Sequence, residues 1–81
     1  MPKIFEWEGH RFFFFSNEGM PLKHCHIHVR KGVHIAKYWL DPEIQLEYSV
    51  GYASHELNEI EKQIGKNKEL IRRKWNEFFK L

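Results

Sequence analysis

The hydrophobic period of this chain changes once, near Ser54, and that change limits the folds open to it. Up to Val50, apolar residues alternate with polar ones or stand in short runs, as they do in strands. Beyond Ser54, Leu57, Ile60, Ile64, Ile71, Trp75 and Phe78 recur at three- and four-residue steps, the stripe of an amphipathic helix. Strands followed by helices predict an α+β fold. The sheet should be small and antiparallel, with four or five strands in two hairpins. A C-terminal helix or broken helix pair should cover one of its faces. Eighty-one residues make one domain, with the sheet in 1–52 and the helical part in 53–81.

Ile4 to Trp7 and His10 to Ser16 read as strands joined at Glu8-Gly9. The second strand holds Phe12-Phe13-Phe14-Phe15, apolar on both sides, which predicts a central position covered from both faces. Residues 17–21 read as a loop punctuated by Gly19 and Pro21. His24 to Arg30 and Val33 to Leu40 form the next hairpin. A two-residue turn at Lys31-Gly32 pairs Arg30 with Val33, His28 with Ile35, His26 with Lys37 and His24 with Trp39. Cys25, Ile27, Val29, Ala36 and Tyr38 then share a core face, because successive strand residues point to opposite sides. Ile44 to Val50 adds an edge strand. Ser54 is the expected N-cap of the helical part. Gly65 is expected to end a first helix, and Asn67 to cap a second.

The other face of that hairpin carries His24, His26, His28, Arg30, Ile35, Lys37 and Trp39. Three imidazoles on one strand invite two chemistries. The first is metal binding, but His24 and His28 are four strand residues apart, about 13 Å at 3.3 Å per residue, too far to share one ion. A His26–His28 pair would need a third ligand, with His55, His10, Glu18 and Asp41 as candidates. The second is proton transfer to a phosphodiester, in which a base takes the 2′-hydroxyl proton and an acid protonates the leaving oxygen. His26 and His28 fit those roles, with Lys37 and Arg30 stabilising charge and Trp39 offering a stacking surface for a base. Burial of the row under a partner or a second subunit is the non-catalytic alternative, with Phe13 and Phe15 beside Arg11 as further contact groups.

The lone Cys25 excludes an internal disulfide and reads as a core thiol. No apolar run nears the roughly 20 residues of a membrane span, and Met1-Pro2-Lys3-Ile4 has no signal-peptide pattern. A cytoplasmic protein without a membrane role is expected, and no motif asks for a cofactor. The net charge is +2. Within 62–74, Lys62, Lys66, Lys68, Arg72, Arg73 and Lys74 stand against Glu69 alone. Such a stretch is either a solvated helix face or an electrostatic attractor for phosphate backbones, with Arg72 and Arg73 at its centre.

Several segments stand in the order and spacing of one family: Gly9-x-Arg11-Phe12-Phe13-Phe14-Phe15-Ser16-Asn17-Glu18, His26-Ile27-His28-Val29-Arg30-Lys31-Gly32, Ala36-Lys37-Tyr38-Trp39-Leu40 and Trp75-Asn76-Glu77-Phe78-Phe79. They resemble the small bacterial domain-of-unknown-function family forty-one-sixty over residues 1–79. His26 and His28 match the family pattern, whereas His24 lies in a longer connection that departs from it. The resemblance implies a toxin–antitoxin component encoded beside a small cognate partner protein, with this chain as the toxin. Joined to the residue pattern, it gives an expected RNA-cleaving toxin. Its catalytic candidates are His26, His28 and Lys37, and its RNA-binding candidates are Arg11, Arg30, Trp39, Arg72 and Arg73. A non-catalytic interaction module, a homodimer and a histidine metal site are the other expectations.

Overall fold

A computed structural model of the chain describes residues 3–15 and 24–79. Five strands, β1 (Lys3–Trp7), β2 (His10–Phe13), β3 (His26–Lys31), β4 (His34–Trp39) and β5 (Gln45–Val50), precede two helices, α1 (Ser54–Lys66) and α2 (Lys68–Phe79). The strands form one antiparallel sheet in chain order, β1-β2-β3-β4-β5. The fold is therefore α+β, as the change of period implies. No helix among the described residues is long and apolar enough to cross a membrane.

Turn chemistry sets the register. Glu8 and Gly9 both take positive φ, 47° and 81°, as a type I′ hairpin turn demands. The β3–β4 turn is Gly32-Val33, one residue later than the sequence suggests. Arg30 therefore faces Ile35, His28 faces Lys37 and His26 faces Trp39. The tight turn needs positive φ at its first central position; Gly32 supplies it at 61°, where a side chain at Lys31 would be strained. Moving the turn by one residue moves the pairing by two, so every side chain keeps its expected face.

The helices cover one face. Phe12, Phe14, Ile27, Val29, Ala36, Tyr38 and Leu40 pack with Ile60, Ile64, Ile71 and Trp75 in a single core. The Trp75 ring meets Phe14 edge-on at 5.1 Å, and the Tyr38 hydroxyl donates to the Leu57 carbonyl at 3.0 Å. Arg72 ties α2 to the corner after β4, donating to the Leu40 carbonyl at 3.3 Å and pairing with Asp41.

The helix boundaries differ from expectation in two places. Ala53 is the N-cap and Ser54 the first helical residue; the Glu56 carboxylate reaches back to accept from the Ala53 N–H at 2.9 Å. Gly65 lies inside α1, and the helix breaks at Asn67. The Asn67 amide donates to the Gln63 carbonyl at 2.8 Å, while its own carbonyl accepts from the Ile71 N–H at 2.9 Å. Asn67 thus closes one helix and opens the next, a competition with the helical ladder that glycine at 65 has no side chain to mount.

Candidate functional site

Alternation along the strands sends a second set of side chains away from the helices. Cross-strand pairing orders them in rows: Glu6, Arg11, Arg30, Ile35 and Val50; then Phe13, His28, Lys37 and Tyr48; then His26, Trp39 and Gln45. This open face holds most of the residues singled out by the sequence.

His28 is the central member. Its ring stacks on Phe13 at 5.7 Å and meets Phe15 edge-on at 4.3 Å. His26 lies 5.3 Å from His28, its ring nearly perpendicular. His26 is wholly buried, closed in by Trp39 at 5.1 Å and by Trp75 of α2 at 5.0 Å. Its Nδ1 sits 2.8 Å from the His24 carbonyl. A carbonyl oxygen only accepts, so Nδ1 carries the proton and the ring orientation is fixed. Lys37 is engaged as well, with Nζ 2.9 Å from Glu47 and 4.5 Å from the centre of the Trp39 ring.

Three cavities along this face share lining residues. Phe13, Phe15, His28, Arg30, Ile35 and Tyr48 line an apolar one of about 210 Å³. Lys3, Glu6, Arg11, Phe13 and Arg30 line a second of about 300 Å³. Gly9, Arg11, Arg30, Lys31 and Gly32 line a third of about 370 Å³, at the turn end of the sheet. Arg30 lines all three and Arg11 two of them. The Glu6 carboxylate sits opposite Arg11 in the sheet yet pairs with Lys3, at 3.1 Å.

The remaining sequence candidates lie elsewhere. Arg72 is held by Asp41, and Arg73 lies 3.9 Å from Glu77, both on α2; neither lines these cavities. Lys62 and Lys74 also have carboxylates within 3.8 Å, so the basic stretch is partly neutralised. Among the described residues no group of three His, Cys, Asp or Glu side chains is placed to hold a metal ion. Glu18, one candidate ligand, lies outside the described residues. Sequence reasoning missed Tyr48 as a cavity residue and Lys31 as a cation. Tyr48 was legible in the alternation Tyr48, Val50 along an edge strand, but the cavity needs its neighbours across three strands.

A separate polar cluster centres on His10, beside the β1–β2 turn. His10 Nδ1 and the Tyr52 hydroxyl share a 2.8 Å hydrogen bond, with Trp7 stacked on His10 at 5.4 Å. Burial lowers the His10 pKa, and the nearby Lys31 charge lowers it further. Burial raises the Tyr52 phenol to about 12 and the Cys25 thiol to about 12. Cys25 is therefore an inert core group, as its position next to Ile27 and Leu40 in the core indicates.

The family model of a domain of unknown function, DUF4160, matches residues 9–76 of this chain. No curated protein and no solved structure matches it.

Proposed function

The chain belongs to the DUF4160 family, a domain of unknown function, and we propose that its open sheet face binds single-stranded RNA and cleaves it as a toxin. One observation carries this reading. Arg30 borders an aromatic cavity on one side and two cation-lined cavities on the other, so a stacked base and its phosphate find partners on one continuous surface. Phe13, Phe15 and Tyr48 supply the stacking faces. Arg11 and Arg30 bind the backbone.

Within that frame His28 is the catalytic candidate. It lines the aromatic cavity, and in this reading it takes the 2′-hydroxyl proton of a nucleotide seated there. The Tyr48 phenol on the same wall can return a proton to the leaving 5′-oxygen. His26 acts as a positioning residue: its ring abuts His28 and its Nδ1–H is spent on the His24 carbonyl. Lys37 and Trp39 hold this end of the face in shape through their mutual contact.

Purified protein incubated with single-stranded RNA should release shorter products ending in a cyclic phosphate. His28→Gln should abolish the products while leaving the thermal transition in place. Intact RNA after incubation with the folded wild-type protein overturns the cleavage step. RNA binding measured by fluorescence polarisation then decides whether the surface assignment stands.

A second reading rests on β5. It is an edge strand whose Leu46, Tyr48 and Val50 are exposed, and its outer backbone groups face no strand among the described residues. A small partner protein could add a strand there and cover the same face. Co-expression that blocks RNA binding while protecting the β5 amides from hydrogen exchange would favour this arrangement.

A further inference from the structure

Three positive residues, Arg11, Arg30 and Lys31, line one cavity at the turn end of the sheet, more than a phosphodiester requires. Arg11 and Arg30 are directly opposed on neighbouring strands. Like charges in that relation destabilise a sheet. The nearest carboxylate in the row, Glu6, is held by Lys3, and no ion pair of Arg11, Arg30 or Lys31 forms among the described residues. Arg30 is also pre-oriented: its Nε donates to the Gly32 carbonyl at 3.1 Å, which leaves its two terminal nitrogens to the cavities.

Lys31 is brought in by the backbone. A Cβ built on Gly9 would stand 3.2 Å from Lys31 Cε and 3.6 Å from its Nζ, at a φ of 81° that side chains avoid. Glycine at position 9 therefore lets the lysine chain lie across the β1–β2 turn. Lys31 lines the cavity of about 370 Å³ together with Arg11 and Arg30, its ammonium beside the β1–β2 turn. The strands end here, so this is also where the apolar-to-cationic track across the face terminates.

We infer that this cavity binds the phosphomonoester end of an RNA strand, with the terminal base in the Phe13, Phe15 and Tyr48 cavity. A phosphomonoester carries about −1.5 to −2 charges at neutral pH, against −1 for a diester. That matches three cations better than a bridging phosphate does, and the planar forks of Arg11 and Arg30 suit its free oxygens. The inference rests on the RNA reading and adds to it a preference for phosphorylated ends.

The test is a polarisation titration with one labelled oligouridine in three forms: 5′-phosphorylated, 3′-phosphorylated and hydroxyl-ended. His28→Gln protein is used, so that cleavage does not interfere. One phosphorylated form should bind at least about tenfold more tightly than the hydroxyl form, from charge-assisted contacts. Arg11→Gln and Lys31→Gln should each erase most of that preference without lowering the melting temperature, because each relieves like-charge crowding. Equal binding of all three forms overturns the end-recognition inference and leaves the RNA reading standing. Binding of none overturns the RNA reading, and uridine monophosphate is then titrated against labelled amides. Shifts at Arg11, Arg30 and Lys31 retain a phosphomonoester site, and their absence removes it.

Discussion

The helix-covered and open faces of this sheet come from the same strands yet are built for different tasks. On the covered face Phe12, Ile27, Val29, Ala36 and Tyr38 are at most 2% exposed and interlock with Ile60, Ile64 and Ile71. On the opposite face Phe15, Tyr48 and Val50 stay 38%, 44% and 57% exposed, and the guanidinium groups of Arg11 and Arg30 stand side by side. Hydrophobic burial stabilises the fold on the first face. On the second, large apolar groups stay exposed, and Arg11 and Arg30 form no ion pair among the described residues. The strand period alone separates the two, one residue at a time.

Substitutions should part the faces cleanly. The largest effect is expected on the covered side: Ile27→Ala should cost about 2–5 kcal/mol of stability, read from urea unfolding. A much smaller loss would mean that the core relaxes around the gap and that the helices pack loosely. On the open side, Tyr48→Ala should weaken RNA binding by a stacking contribution of about 1–3 kcal/mol while the unfolding midpoint barely moves. Tyr48→Phe should keep the affinity and slow cleavage, since only the phenolic proton is lost. A large fall in stability from either variant would show that Tyr48 belongs to the core and blur the contrast.

Smaller effects lie at the borders of the covered face. Tyr38→Phe removes the donor to the Leu57 carbonyl and should destabilise by about 1 kcal/mol, the net contribution of one hydrogen bond. The His10–Tyr52 pair gives the protein a mild acid sensitivity. Burial lowers the folded-state pKa of His10 below its ordinary 6.5, so the unfolded chain takes up that proton first. Stability from this group is therefore intact above pH 6.5 and falls as pH drops from there through the folded-state pKa. His10→Asn should flatten that part of the stability–pH curve, and an unchanged curve would assign the sensitivity to other groups. Native protein should also resist thiol reagents at neutral pH, because the Cys25 thiol is pushed up to about 12.

The division between the faces was readable from the alternation of Cys25 to Arg30 and Ala36 to Trp39, and the helical layer from the stripe starting at Leu57. The exact register was not, because it hangs on which residue supplies positive φ in the turn. Both Lys31-Gly32 and Gly32-Val33 contain the glycine, and only backbone geometry chooses between them. The helix breaks at Asn67 and not at Gly65 for a related reason. Propensity marks glycine as the weak point, whereas the Asn67 amide actively captures the Gln63 carbonyl. The histidine row was visible in the sequence as a shared face, but not its division of labour. What separates His26 from His28 is Trp75, a residue 49 positions further along, whose approach depends on how α2 crosses the end of the sheet. Tyr48 and Lys31 join the site through cross-strand neighbours and a glycine that opens a path, neither of which sequence spacing records.

The proposed RNA site is the open face and not the basic stretch of the helices. Photo-crosslinking of the full chain to a 4-thiouridine-substituted single strand, followed by mass-spectrometric mapping, tests it most directly. Crosslinks are expected at Phe13, Phe15 and Tyr48, suppressed by Arg30→Gln. Crosslinks confined to residues 62–74, unchanged by that substitution, would contradict it.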